Sequence, residues 1–293
     1  MNKIKSSWGS RIFDFCNYTF MIIICIAMIY PVFYLLMLSI ASPELPLTAG
    51  YVIPPKITLK TYMEVLNNQY IISGFYNTII RTMLGTFLSL IATILTAYPL
   101  SKKSFPNRSI WTMLIVFTMF FSGGLIPNYL LITGLKIDNS VWVLVLPGLI
   151  STYNMLIARN FFMAIPEEMC ESAYIDGAND LRVLFQIIVP VSLPIIATLT
   201  LWIAVAHWNA WFDSMIYIKD SKSQVLQMVL RRIVLEGTNE MMNLNMQVDE
   251  GLAPNPETLK AATTIVAILP IVMVYPFIQK YFVKGVMVGS LKG

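Results

Sequence analysis

Charge is what this sequence has least of. Only 12% of its 293 residues are Asp, Glu, Lys or Arg, about half the roughly 25% of an ordinary soluble domain. Hydrophobic residues make up 57% and mean hydropathy is +0.68, so there is too little polar surface to cover a water-facing globule. There is one histidine, His207, and three scattered cysteines, Cys16, Cys25 and Cys170. That set excludes a zinc framework, a disulfide scaffold and a haem-attachment motif. It also offers no convergent catalytic side chains, so neither a metal site nor an enzyme is expected. The net charge of +4 comes without a block of Lys or Arg, which speaks against nucleic-acid binding. No Gly-x-x-x-x-Gly-Lys-Ser/Thr phosphate loop occurs; Gly123-Gly124 sits in an apolar run with Pro127 and no lysine. The chain is therefore not expected to bind ATP.

What it has instead is long uncharged runs. Asp14 to Glu44, Arg81 to Lys102, Arg108 to Lys136, Asp138 to Arg159, Arg182 to Asp213 and Lys260 to Lys280 each enclose 19 to 30 positions without a charge. A helix needs roughly 20 apolar residues to cross a hydrocarbon core about 30 Å thick. The runs predict an all-α integral membrane domain spanning residues 1–293, with six transmembrane helices near 16–41, 76–101, 109–133, 140–160, 189–216 and 261–281. The segment Val65 to Ile80 carries Asn67, Asn68, Gln69, Ser73 and Asn77 and is expected outside the lipid. Cys16 to Ile40 exceeds the apolar region of about 7–15 residues in a signal peptide, so a retained span is expected. Continuous apolarity excludes the alternation of a membrane barrel.

Lys3, Lys5 and Arg11 precede the first run, Lys102, Lys103 and Arg108 link the second to the third, and Lys280, Lys284 and Lys292 follow the last. By the positive-inside rule both termini are expected in the cytoplasm. Lys219, Lys222, Arg231, Arg232 and Lys260 dilute this bias on the long outer connection over 219–260. Another outer connection, Ala41 to Ser73, holds Pro43, Pro46, Pro54 and Pro55 and reads as an irregular loop leading to a short polar helix.

The inner connection over 163–189 carries the sharpest signal. Ala164 to Pro194 reads AIPEEMCESAYIDGANDLRVLFQIIVPVSLP. Pro166 suits the first position of a helix, and Glu167 and Glu168 favour the positive end of its dipole. Met169, Cys170, Ala173 and Tyr174 would form an apolar stripe, with Glu167 and Glu171 on another face. Gly177 accepts the left-handed conformation that ends a helix. Asn179 or Asp180 would cap a second helix running from Leu181 into Pro190. Membrane-surface helices usually present Lys or Arg, whereas this one presents three Glu. Two readings stay open, a hairpin at the headgroup level and an element that docks into a basic protein groove.

Glu171-Ser172-Ala173, three residues, Gly177, nine residues, Ile187, one residue, then Val189-Pro190 resembles the EAA motif of binding-protein-dependent ABC importer permeases. That motif runs E-A-A, three residues, G, nine residues, I, one residue, L-P. Ser172 replaces its middle Ala and Val189 its Leu. Asn77-Thr78 with Ala97-Tyr98-Pro99-Leu100-Ser101, the segment His207-Trp208-Asn209-Ala210-Trp211-Phe212, and the ending from Gln279 to Gly293 are similar to the oligosaccharide-importing branch, relatives of the maltose permease subunits. The chain resembles the subgroup serving acidic oligosaccharides such as alginate or pectin fragments.

The resemblance implies an ABC type I importer permease fold in a bacterial cytoplasmic membrane. It implies a second permease subunit in a heterodimer, two ATP-binding subunits that hold ATP and Mg, an extracytoplasmic solute-binding protein and an oligosaccharide substrate. No cofactor would sit on this chain. Glu171 would pair with a basic residue of the ATPase, Gly177 would permit the turn, and Met169, Ala173 and Tyr174 would pack in the ATPase cleft. Ser172 and Asp176 belong to the same coupling helix. The tail over 284–293, with Lys284, Lys292 and Gly293, would reach between the ATPase subunits. The outer loop, with Asn239, Glu240, Asn243, Asn245, Asp249 and Glu250, would meet the binding protein.

Sugar sites combine aromatic faces with amide and acid groups, which singles out Trp202, Trp208, Asn209, Trp211 and Asp213 as a candidate substrate pathway. The same residues also read as an interfacial aromatic belt. His207 reads as a packing group facing the bundle, and Arg81 and Arg159 as span-edge residues that snorkel. Pro31, Pro127, Pro147, Pro190 and Pro194 allow bends in or beside spans. A rival, an ion-coupled secondary transporter, would show paired repeats and intramembrane acids; the six runs hold no Asp or Glu. A non-transporting membrane assembly subunit is the rival that sequence excludes least.

Overall fold

The computed structural model describes residues 8–42, 52–236 and 256–290, with 236, 275 and 277–290 described by backbone alone. The described residues are helical apart from turns, loops and one isolated bridge between Ala41 and Ile57. In chain order the helices are α1 (Trp8–Ser39), α2 (Lys60–Asn67), α3 (Gln69–Ser101), α4 (Arg108–Phe120) and α5 (Leu125–Gly134). Two 3-10 turns follow, Val141–Leu144 and Leu146–Gly148, then α6 (Thr152–Met163), α7 (Glu168–Ile175) and α8 (Asp180–Val183). A π-helical turn, Leu184–Ile188, leads to α9 (Val189–Val191), α10 (Leu193–Asn209), α11 (Phe212–Tyr217), α12 (Leu226–Glu236) and α13 (Pro256–Ser290).

Three stretches are single helices long and apolar enough to cross a membrane: α1, α3 and Pro256–Val274 of α13. In the third, fourth and fifth apolar runs the helices are broken at or beside Pro127, Pro147, Pro190 and Pro194. Each is a bent pair: α4 with α5 at 110°, Val141–Gly148 with α6 at 52°, and Asp180–Val191 with α10 at 87°. The breaks have local causes. Between α4 and α5 the chain passes through Ser122-Gly123-Gly124, where Gly124 takes φ 88°, and Pro127 falls in the first turn of α5, where no N–H is needed. Before α6, Pro147 sits in a 3-10 turn and the Ser151 side chain caps the new helix. Pro190 and Pro194 flank buried Ser192, and neither can donate to the helix ladder. The straight helix α10 therefore starts at Leu193, after the break.

α3 starts at Gln69, earlier than the charge-free run suggested. Polar side chains do not stop a helical backbone, so uncharged length marks lipid thickness rather than helix length. At 33 residues the helix is about 50 Å long and overshoots the hydrocarbon.

The chain divides into two compact units, residues 1–68 with 232–267 and residues 69–231 with 268–293. In the first, the Ser39 and Tyr62 hydroxyls pair at 2.7 Å. Thr58 N–H donates to Ile40 O at 2.8 Å and Ser42 N–H to Lys56 O at 3.0 Å, fastening the loop to the end of α1. α1 exposes apolar side chains on all sides, Phe13, Phe20, Ile26 and Val32 among them, as a helix solvated by lipid does. In the second unit α3 is central, lying against α10 and α6. Ile94, Ala97, Tyr98 and Leu100 form a core with Met155, Ala158, Phe162, Val183, Leu184, Ile188 and Leu199. Lipid is as apolar as Leu, so close packing rather than escape from water holds such faces together.

Candidate functional site

The hairpin over 163–189 is built at the C-terminal end of α3. Glu167 opens its first helix, its carbonyl accepting from Cys170 N–H at 2.8 Å and Glu171 N–H at 3.1 Å. Pro166 consequently stands before the cap rather than at the first helical position. Glu168 and Glu171 lie in the first turn, where the helix dipole favours them. At the other end Gly177 takes φ 79°. Its N–H donates to Tyr174 O at 3.0 Å and Ala178 N–H to Ala173 O at 2.9 Å, the two bonds of a Schellman stop. Asn179 is the residue that caps α8, its side chain accepting from Arg182 N–H at 2.9 Å. Asp180 instead accepts from the Tyr174 hydroxyl at 2.6 Å.

The hairpin is bound to α3 by a short polar chain. The Tyr174 hydroxyl lies 3.3 Å from that of Tyr98. Lys102 Nζ donates to Cys170 Sγ at 3.2 Å and sits 5.2 Å over the Tyr98 ring. Lys103 and Glu167 pair at 3.4 Å on the surface. Arg159 Nε donates to Leu100 O at 2.8 Å, tying α6 to the same end. Burial of its hydroxyl, then the bond to Asp180, hold the Tyr174 phenol above its ordinary value, so it stays a donor.

The expected apolar stripe splits. Cys170 is buried and Ala173 packs on the core; Tyr174 spends its hydroxyl on Asp180. Ala173 thus packs partly within this chain, while Tyr174, bonded to Asp180, keeps its ring exposed. Met169, Glu171, Ser172, Ile175 and Asp176 face outward. Ile175, 87% exposed, was missed in the sequence. Its signal was its spacing of three, four and seven residues from Ser172, Glu171 and Glu168, which puts all four on one face.

Towards the other end of α3 lies a cavity of about 920 Å³ within the second unit. Trp202 lines it and stacks on Tyr153, ring centres 6.1 Å apart. Asp213 lines it and grips Arg81 through both carboxylate oxygens, one bond at 2.9 Å. Arg81 Nη1 also donates to Ala210 O at 3.1 Å. Arg81 is 2% exposed: it does not snorkel, because a partner for its charge lies within reach inside the fold. His207 also lines the cavity, its ring flat against Gly85, where an added Cβ would stand 2.5 Å from Nε2. The other three pathway candidates do not line the cavity. Trp208 packs edge-on to Phe75 at 5.8 Å, Trp211 lies 3.8 Å under the Arg231 guanidinium, and Asn209 is exposed.

The same half of α3 is clamped to the chain following α11. Asn77 Nδ2 donates to Lys222 O at 2.8 Å and Gln224 O at 3.1 Å. Thr78 Oγ1 accepts from Leu226 N–H at 2.8 Å. Exposed Asp220 is held below the usual carboxylate range by the Ser223 hydroxyl and then the Lys222 N–H. Among the described residues no three His, Cys, Asp or Glu gather as a metal site. Asn239, Glu240, Asn243, Asn245, Asp249, Glu250, Lys292 and Gly293 lie outside the described residues, and Lys284 is described by backbone alone.

No protein-family model matches the sequence. The chain is 36% identical to the polygalacturonan/rhamnogalacturonan transport system permease protein YtcP of Bacillus subtilis, over 97% of this chain and 99% of that one. It is 37% identical to protein LplC of Bacillus subtilis, over 100% and 99% of the two chains. Among solved structures it is similar to a chain of a bacterial ABC transporter involved in the import of the acidic polysaccharide alginate, at TM-score 0.87 and 30% identity, covering 96% of this chain and 100% of that one. With identity of this order running end to end, over a helical chain rich in membrane-length apolar segments, the protein belongs to the permease family of bacterial ABC sugar importers.

Proposed function

We propose that this permease forms one half of the translocation pathway of an ATP-driven importer of acidic oligosaccharides, with six spans and both termini in the cytoplasm of a bacterium. Counting each bent pair as one span gives six. The hairpin shares its end of α3 with Lys102, Lys103 and Arg108, the basic end that the positive-inside rule assigns to the cytoplasm. Arg81 and Tyr98 stand about 25 Å apart along α3, so the cavity mouth near Asp213 and the hairpin fall on opposite sides.

The observation that carries this reading is the hairpin's outer face. A Schellman turn at Gly177 presents Glu171, with Met169, Ser172, Ile175 and Asp176, as an acidic and partly apolar knob. Such a knob suits a protein groove carrying a basic residue, which we assign to one of two ATP-binding subunits. Those partners hold ATP and Mg, and closure of the pair moves the hairpin. The Tyr98–Tyr174–Asp180 chain passes that motion to α3. A second permease subunit supplies the other half of the path, and a solute-binding protein delivers sugar on the outer side, meeting the loop over 219–260. The tail over 284–293 reaches between the ATP-binding subunits. The substrate class is taken from the polygalacturonan/rhamnogalacturonan and alginate transport named for the relatives. Of the sugar-contact candidates, Trp202 and Asp213 keep that assignment, because they line the cavity.

Reconstituted complex in proteoliposomes tests the docking role. Gly177→Val should abolish uptake and substrate-stimulated ATP hydrolysis, because a β-branched residue resists positive φ. Unchanged uptake and coupling in that variant would refute it.

A further inference from the structure

Two arginines at the hairpin end of α3 have no acid to answer them. Arg159 Nε donates to Leu100 O at 2.8 Å, which puts it beside the last turn of α3. Farther from that end, Thr152 Oγ1 of α6 donates to Ile115 O of α4 at 3.3 Å. Arg108 lies seven residues before Ile115 and Arg159 seven after Thr152. The two helices run in opposite directions, so the arginines come level, and the charge of Arg108 acts on that of Arg159. Both are half-buried, and no carboxylate among the described residues pairs with either. The neighbouring acids are engaged elsewhere, Glu167 with Lys103 and Asp180 with Tyr174. Arg108 Nη1 is buried without a partner; Nε and Nη2 of Arg108 and both Nη atoms of Arg159 keep accessible surface. Like charges drawn partly out of water without a counter-charge are costly.

The surroundings say what supplies that counter-charge. α4 buries none of its residues, and Trp111, Met113, Leu114 and Phe117 expose apolar surface beyond Arg108. Such a face suits acyl chains, with a tryptophan one turn in from the charge, where interfacial aromatics sit. The Asn107 side chain does not cap α4, so the positive end of the helix dipole falls at the same place. Guanidinium forks match phosphate oxygens two at a time, and basic pockets between helices on the cytoplasmic side suit anionic headgroups. We propose that Arg108 and Arg159 form a site for the phosphate of an anionic phospholipid of the cytoplasmic leaflet, seated between the start of α4 and the end of α6. Its acyl chains lie along the exposed face of α4. The bound lipid ties the ends of α3, α4 and α6 together at the level of the hairpin. The inference shares with the importer reading only the placing of this end at the cytoplasmic leaflet, and needs neither the sugar nor the docking role.

The experiment uses the whole importer, with its ATP-binding subunits and sibling permease, purified in a neutral detergent. It is titrated with dioleoyl-phosphatidylglycerol, with dioleoyl-phosphatidylcholine and with inorganic phosphate, reading Tm and, by native mass spectrometry, the lipids retained. Phosphatidylglycerol should raise Tm and stay bound. Phosphatidylcholine, whose choline cancels the charge, should bind more weakly, and inorganic phosphate at the same concentration should leave Tm unmoved. Arg108→Gln breaks no side-chain bond of the described chain, so its Tm in phosphatidylcholine should match the native value. Its affinity for phosphatidylglycerol should fall about ten-fold or more, the loss of charge-assisted bonds, with one lipid fewer retained. Native affinity and lipid number in Arg108→Gln overturn the proposal. Equal protection by inorganic phosphate overturns the lipid assignment, and equal binding of phosphatidylcholine overturns the need for net charge. Loss of an ATP-binding or sibling subunit from the Arg108→Gln complex overturns the proposal in favour of a protein acid as the partner. Absence of sugar uptake by the native complex in proteoliposomes overturns the importer reading alone.

Discussion

The two ends of α3 are fastened by different hydrogen-bond chemistry, and its middle by packing against α10 and α6. Towards the N-terminus the bonds reach distant backbone and a carboxylate: Asn77 to two carbonyls, Thr78 to an amide, Arg81 to Asp213. Towards the C-terminus they are side-chain bonds with exposed members, Tyr98 to Tyr174 to Asp180 and Lys102 to Cys170. Between them Thr82, Thr86, Ser89 and Thr93 bond to nothing in the protein. An anchor at one end and a looser linkage at the other are what a helix needs if it is pulled at one end and held at the other.

The largest break should come at the anchor. Arg81→Ala leaves Asp213 without its partner in a poorly hydrated place, a loss of about 3–5 kcal/mol by analogy with other broken buried pairs. Thermal unfolding of the detergent-solubilised protein should show it, and Arg81→Met/Asp213→Leu should recover much of it. A single variant with native Tm would show that the pair holds nothing.

Next comes the contact between Gly85 and His207. Gly85→Ala drives a methyl into the imidazole and should cost about 1–3 kcal/mol through overpacking. Adding His207→Ala should relieve it; the same Tm for both variants would mean the helices separate freely there.

At the linkage the effect should be smaller in stability and larger in coupling. Tyr174→Phe removes the bond to Asp180 for about 1 kcal/mol, and should lower the sugar transported per ATP hydrolysed while leaving Tm nearly intact. An unaltered transport ratio would cut the Tyr98–Tyr174–Asp180 chain out of the account.

The smallest effect belongs to Asp220. Its carboxyl is depressed in the folded protein, so its bonds are intact above the unfolded value near 4 and are lost as pH falls through the lower folded value. Amide exchange at Lys222 should quicken over that acid range and should already be fast in Asp220→Asn at neutral pH. Identical exchange in the two proteins would detach Asp220 from the turn.

Much of this was legible in the sequence, and the failures share a cause. Gly177 announced its positive φ because few other residues tolerate one, and Asn179 its cap because the side chain acts on a neighbour three positions away. Such effects are local. The partner of Arg81 stands 132 positions along the chain, so counting charges found the arginine and misjudged its setting. The packing of Ala173 on the core and the tie of Tyr174 to Tyr98 depend on α3 and its neighbours, which no stripe on a helical wheel contains. Bends were expected at Pro127, Pro147, Pro190 and Pro194, and the helices break at or beside each of them. Their presence was visible, but the angles of 110° and 87° come from what the following helices pack against.

The π-helical turn Leu184–Ile188 gives the interval between Gly177 and Pro190 an angular meaning. A turn of this kind holds one residue more than an α-turn. Deleting that extra residue would let the winding become regular with the flanking turns nearly in phase, whereas inserting one residue into the regular helix beyond it would swing everything upstream by about 100° about the local axis. Every side chain of the knob would survive such an insertion, yet Glu171 would point a quarter-turn or more away from its present direction, like a key cut correctly and soldered askew to its bow.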